Sequence, residues 1–431
     1  MSPLIEARKS ATIAANPLKS LTKFTPFSPQ NESFVKMNEI IGKNHNNDMI
    51  HGGFRANHVV HAICSLYKMG ASSELLEQYY NKSMTYLEPL PEDKYDINIE
   101  NYEKYIAIKD AYSSYLKFFD KQVNELGAIS ALKKYIPKII PGLAGAALHP
   151  LIHLGYAVEF NNPIVAVEGL AYAYSHYLAL DNIIDSIQPE EISTENIEEK
   201  LAKMNINTAN PKSSKTKSYS AYLILEELKN MGVKAIDEEQ RKGEFFNSIN
   251  YIVENNGSNL VKLATKFGVN KDNIEECNND LSIGTVEIFS GSYRQNTFDF
   301  FLLHGLTGNH GARTLLPILE SKDKVRLLNL NFSALTILFL IQGAPKLSEI
   351  SKSIPKEIEG GKNDDHSWSE IYTRSGESLD AHLIKGVRNL YELQKEFGEM
   401  NGLFFKPAAF AALDIPKNNW NFSGIGYLPE N

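Results

Sequence analysis

Cysteine is nearly absent from the 431 residues. Only Cys64 and Cys277 occur, too few for a disulfide framework or a thiolate zinc site, and a usage that suits a reducing compartment. An excess of positive charge is missing too. The net charge is −8 and the pI near 5.8, which argues against nucleic acid as a general partner, because phosphate binding needs a clustered basic surface. The first thirty residues contain no apolar run of the kind a secretory signal requires, so the protein is expected in the cytoplasm. Alternating strand patterns are nearly absent, and there is no internal repeat. GxGxxG, GxxxxGK[ST] and GxSxG are missing, which removes the usual nucleotide and serine-hydrolase signatures.

What is present is enough for a large core: 43% hydrophobic and 10% aromatic residues. The stretch Lys138–Phe160, KIIPGLAGAALHPLIHLGYAVEF, has no formally charged residue between Lys138 and Glu159. A helix that is apolar all round is a buried one. Counting 100° per residue, His153 falls about 40° from His149, so both rings leave one face. Burying such a ring without a partner costs roughly 1–3 kcal/mol, so hydrogen bonds or a metal must satisfy both. Pro150 disfavours helical backbone at the residue before it and suggests that His149 caps the helix. The length would span a bilayer, but Pro141, Pro150, three glycines and two histidines favour a core helix, and no membrane partner is expected.

The remaining chain reads as helix after helix. Residues 1–50 are Pro- and Asn-punctuated and read as an N-terminal arm. A helix is expected from Asn57 to about Gly70, then one in SSELLEQYYNKSM. Residues 98–126 follow an amphipathic pattern, and NPIVAVEGLAYAYSHYLALDNIID reads as one long helix. Residues 187–218 are polar and breaker-rich, an excursion from the domain. Helical patterns resume at Ala221–Met231, Glu238–Val253, Leu260–Phe267 and Leu281–Ser290. They continue through TFDFFLLHGLTGNHGARTLLPIL, VRLLNLNFSALTILFLIQGA and SGESLDAHLIKGVRNLYELQKEFG. The expected class is all-α, a single large multi-helix domain over 51–431 with buried central helices.

Most of the eleven histidines fall into pairs: His58/His61, His149/His153, His304/His310, and His382 with Lys385. Spacings of three and four put two side chains on one helix face, as metal ligation from helices requires. Several pairs in apolar text point to a metal more strongly than any one does, and imidazoles with few carboxylates suit iron, copper or zinc. His45 and His366 stand in polar loop text and are expected to be bystanders.

Four segments, HGGFRANHVVHAICSLYKMGAS, GLAGAALHPLIHLGYAVEF, FLLHGLTGNHGARTLLP and DAHLIKGVRNLYE, resemble in this order the motifs of the questin oxidase-like family. The likeness covers roughly residues 50–400. The chain departs from the family pattern at Ala62, where a histidine is usual, and at Arg55 and Ala56, which replace a more polar His-Asn lead-in. The resemblance implies an all-helical, metal-dependent oxygenase with a histidine-rich site. Some members are described as NADPH-using Baeyer–Villiger oxidases, but this sequence carries no NADPH signature.

On that resemblance the expected metal ligands are His58, His149, His153, His304 and Lys385. His61, His310 and His382 are expected as partners of the ligands or as acid–base groups. The helical wheel alone puts Lys385 about 200° from the apolar stripe of its helix, on a solvated face. The family motif instead puts it with the histidines. A protonated lysine has no lone pair, so a ligating Lys385 must be neutral or converted by CO2 to a carbamate. The expected activity is a non-haem Fe(II) oxygenase that opens a ring of an anthraquinone-like polyketide or other aromatic with O2. The 42 Tyr and Phe residues suit a flat aromatic substrate. Two other readings stay open: an NADPH- or flavin-dependent Baeyer–Villiger monooxygenase, and a non-enzymatic helical protein that binds an aromatic metabolite.

Overall fold

The structure, a computed structural model, describes residues 32–187, 245–293, 297–344, 368–414 and 420–427, with isolated positions between 221 and 236. In order the helices are α1 (Glu32–Asn44), α2 (Val59–Lys68), α3 (Ser73–Ser83), α4 (Tyr112–Leu126), α5 (Ala128–Ile139) and α6 (His149–Phe160). They continue with α7 (Pro163–Ser175), α8 (Asp181–Ile184), α9 (Phe245–Phe267), α10 (Ile274–Gly291), α11 (Phe300–Leu315) and α12 (Ser321–Ile341). The last are α13 (Trp368–Ser378), α14 (Ala381–Phe397) and α15 (Phe405–Ala409). Two two-residue pairings are the sheets among the described residues: β1 (Ile50–His51) antiparallel with β2 (Arg55–Ala56), and β3 (Phe298–Asp299) parallel with β4 (Trp420–Asn421). The fold is all-α.

The uncharged stretch, read as one core helix, ends α5, passes through 3-10 turns at Ile140–Gly142 and Gly145–Leu148, and forms α6 only from His149, buried from there to Val158 and packed between α7 and α11. Two glycines set how close α6 and α11 come. A Cβ on Gly155 would stand 2.6 Å from Gly311 Cα, and one on Gly311 would stand 2.5 Å from the Leu151 carbonyl oxygen. Any side chain at either position would push the helices apart, so this contact fixes the distance between the histidines they carry.

Local chemistry sets several ends that periodicity placed elsewhere. The helix read through residues 163–185 stops at Ser175, because Leu178 N–H turns back to bond the Gly142 carbonyl at 3.1 Å. The last expected helix is two, split where Leu379 takes φ 53° and Asp380 caps α14 by accepting from His382 N–H at 2.8 Å. The two patterns around Val253 and Leu260 join into the single α9. Within the segment read as an arm, α1 buries Met37, Ile40 and Ile41. Residues 1–31, His366 and the 187–218 excursion beyond Ile187 lie outside the described residues. Helix α12 is long and apolar enough to cross a membrane, but 83% of that window is buried inside the protein. It is a core helix.

Candidate metal centre

Four helices start at one place, and each brings a histidine near its N-terminal end. His58 is the N-cap residue of α2, His149 opens α6, His304 is the fifth residue of α11 and His382 the second of α14. One ring nitrogen from each lies within 4.8 Å of the others. His149 Nε2 and His58 Nε2 are 2.9 Å apart. Ring centroids run 4.8 Å from His58 to His149, 4.9 Å from His149 to His304, 5.2 Å from His304 to His382 and 4.5 Å back to His58.

The backbone before His149 is unusual. Ala146, Ala147 and Leu148 have φ of 46°, 54° and 67°, left-handed values that cost non-glycine residues free energy and collect at functional sites. This turn delivers the Ala146 carbonyl to His149 Nδ1 at 2.5 Å. His149 itself is helical, and Pro150, lacking an N–H, fits the first turn where that donor would be unpaired.

The outer nitrogens are held while inner ones are left open. His304 Nδ1 donates to the Phe300 carbonyl at 2.8 Å, and His382 Nδ1 lies 3.5 Å from Asp380 Oδ1. Trp420 Nε1 donates to the other oxygen of Asp380 at 2.7 Å, so β4 steadies the carboxylate behind His382. Nε2 of His304 and of His382 are buried with no partner among the described residues. Burial lowers the pKa of all four rings and Lys385 disfavours each imidazolium further, joined at His58, His149 and His304 by neighbouring histidines and opposed at His382 by Asp380. With Nδ1–H turned outward, His149 and His304 present Nε2 lone pairs inward, as a ligating imidazole does. The donor set therefore fits a transition metal.

Lys385 is 0% exposed and its Nζ has no hydrogen-bond partner among the described residues. The wheel's solvated face is wrong for it, because α14 packs against α2, α11 and α13 and is covered on more than its apolar stripe. Burial brings its pKa down to about 7, opposed in part by Asp380.

The other expected site residues are placed differently. His153 was expected beside His149, but the step along α6 turns it away and both its nitrogens are occupied. Nδ1 is 3.1 Å from His61 Nε2, and Nε2 is 3.1 Å from Glu168 Oε2 on α7. His382, expected in a supporting role, stands in the four-histidine group in its stead. His61 is buried beside the group, stacked on His149 at 6.0 Å. His310 accepts from Arg388 Nη1 at 2.7 Å within a cluster that includes Glu159 and Lys68.

The family model described as questin oxidase-like matches residues 55–390, a span that holds all four histidines and Lys385. The chain belongs to the questin oxidase-like family. It is an oxidoreductase of the oxygenase kind. Among its relatives is the Baeyer–Villiger monooxygenase dmxR6 of Cryptosporiopsis sp., 24% identical over 85% of this chain and 82% of the relative. The Baeyer–Villiger oxidase ptaJ of Pestalotiopsis fici is 22% identical over 92% of both chains. The oxidoreductase AflY of Aspergillus parasiticus is 24% identical over 78% of this chain and 67% of its own length.

Within this questin oxidase-like chain two polar residues near the site, Glu168 and Asp380, escaped the sequence reading, and a third, His45, was expected to be a bystander. Glu168 carried a signal, a lone carboxylate in the apolar run VAVEGLAYAY. Asp380 carried one as well, as an acid two residues before a motif histidine. His45 carried none, since only the fold brings it to Glu168, where its Nδ1 lies 2.9 Å from Oε1.

Proposed function

We propose that this protein is an oxygenase that holds one Fe(II) on His58, His149, His304 and His382. Its substrate would be a flat hydroxylated aromatic ketone or quinone of the anthraquinone type, taken with O2. The observation that carries the reading is the convergence of four neutral imidazoles, with Nε2 of His304 and His382 buried and unpaired among the described residues. Buried nitrogens without partners are costly, and a cation binding their lone pairs offsets that cost.

Lys385 completes the set as a carbamate. A divalent ion among neutral donors in a buried site needs an anion, and four helix N-terminal ends meeting there also favour one. The buried Nζ, with a pKa near 7, supplies a neutral amine that takes up CO2. Asp380 contributes through His382, fixing that ring's orientation from behind.

The metal, when bound, supplies O2 activation. The protein's own groups do the rest. The outer Nδ1 bonds of His149 and His304 keep their rings fixed in orientation. Phe300, whose ring lies 4.9 Å from His304 and 4.5 Å from His382, gives an aromatic face beside the centre for a planar substrate. His149 and His304 are buried and His58 and His382 half-buried, which limits the water that reaches the reacting atoms.

A second reading, a Baeyer–Villiger oxidation drawing two electrons from NADPH, is favoured by the names of the relatives. Isotope incorporation from labelled O2 separates the two on a panel of hydroxyanthraquinones. Ring opening by the Fe(II) protein alone should put both oxygen atoms into product with no NADPH consumed. One atom incorporated, with stoichiometric NADPH oxidation, would establish the second reading instead.

A further inference from the structure

Four side chains from four segments form a continuous hydrogen-bonded line from the surface to the wall of the centre. His45, with 30% of its side chain exposed, meets Glu168 Oε1 at 2.9 Å. Glu168 Oε2 meets His153 Nε2 at 3.1 Å, and His153 Nδ1 meets His61 Nε2 at 3.1 Å. The last atom, His61 Nδ1, is buried and has no partner among the described residues. The ring that carries it lies 5.9 Å from His58 and 6.0 Å from His149.

The proton positions along this line follow from an ionised Glu168 and neutral imidazoles. An ionised carboxylate only accepts, and Glu168 is held ionised against the effect of its burial by His153 and His45. His153 must therefore carry its proton on Nε2, and in the neutral ring Nδ1 is then a lone pair. That lone pair obliges His61 to donate from Nε2, which leaves His61 Nδ1 as a second lone pair. A buried acceptor without a donor calls for one from outside the protein.

We propose that Glu168, His153 and His61 form a base relay that takes the proton of a phenolic hydroxyl bound at the centre. The inference rests on the proposed aromatic substrate for the identity of the donor. The substrate O–H bond breaks as the proton bonds to His61 Nδ1, and the electron pair stays on oxygen as the phenolate. The His61 Nε2 proton passes to His153 Nδ1, and the His153 Nε2 proton passes to Glu168 Oε2. The one negative charge moves from Glu168 to the substrate, and no oxidant or reductant is consumed. His61 is the group that touches substrate. His153, Glu168 and His45 are positioning residues that act through it.

The test begins on metal-free protein. Nitrogen-15 NMR of labelled histidine should show His61 and His153 both protonated on Nε2 and bare on Nδ1, and Glu168→Gln should lose that single tautomer assignment. Nδ1–H on either ring in the wild type would overturn the relay, whatever the protein binds. The second measurement is an optical titration of 1,8-dihydroxyanthraquinone on the zinc-loaded protein, which cannot turn over. The phenol's apparent pKa should rise by about 1–3 units in Glu168→Gln with zinc content unchanged, and by a similar amount in His153→Gln should the first variant fold poorly. Titrations that superimpose on the wild type would also overturn it. Failure of the protein to bind zinc would count against the proposed centre and leave the tautomer result to judge the relay.

Discussion

The same three helices carry two clusters of polar groups, and the two are built on opposite plans. At their N-terminal ends α6, α11 and α14 bring His149, His304 and His382 together with no counter-charge inside the group. Farther along the same helices, Glu159, His310 and Arg388 meet, joined by Lys68. In the second cluster each charge has an opposite one against it. Burial alone would raise the Glu159 carboxyl, but Arg388, His310 and Lys68 drive it well below the ordinary range. Such a cluster fastens helices to each other through its opposed charges. The first leaves buried imidazole nitrogens unmatched among the described residues, a cost that a bound cation would offset.

Substitutions should separate the clusters. The largest effect is expected from His149→Ala or His304→Ala, each removing bound metal and activity while the helical circular dichroism stays close to wild type. Retention of full metal occupancy by His149→Ala would place the central histidine in the core and not at the centre.

Glu159→Gln should do the reverse, keeping the metal and losing stability. Breaking one side of a buried pair costs about 3–5 kcal/mol, measurable by denaturant titration. Because the folded-state pKa of Glu159 is depressed, its contribution is present above the unfolded carboxyl value of about 4.3 and is lost as pH falls below it. The wild type should therefore lose more stability than Glu159→Gln on acidification through that range, and parallel curves would refute the assignment.

Lys385→Ala is expected to weaken metal binding without abolishing it, since four imidazoles remain, and acetate or formate should restore part of it. In the wild type the neutral amine grows as pH rises through about 7, so metal affinity should increase across that range and increase again with bicarbonate. Affinity indifferent to bicarbonate would exclude the carbamate.

The smallest effect belongs to His45→Ala at the surface end of the relay, expected to leave metal content and folding unchanged. Loss of metal in that variant would show that His45 supports the centre itself.

How much of this was legible in the sequence depends on the kind of force that decides each feature. The helices were, because burial imposes a period on the chain: α6 announced itself through an uncharged run, and α11 and α12 did likewise. Three of the four grouped histidines were expected as ligands as well. The exchange of His153 for His382 was not legible, because a wheel drawn on one helix cannot show which neighbour each ring will face. Lys385 shows the same limit from the other side. Its position off the apolar stripe reads as solvent until α2 and α11 are packed around α14. The left-handed turn at Ala146–Leu148 carries no glycine to mark it, since the strain is sustained by the packing around it. Glu168 and His45 meet across 123 residues, a distance no local pattern spans.

The central claim is that the four histidines form a metal site, and elemental analysis of protein purified without a polyhistidine tag tests it most directly. The account predicts close to one transition metal per chain, with iron favoured, lost on chelation together with activity and recovered with Fe(II). Active protein with no detectable metal would contradict it.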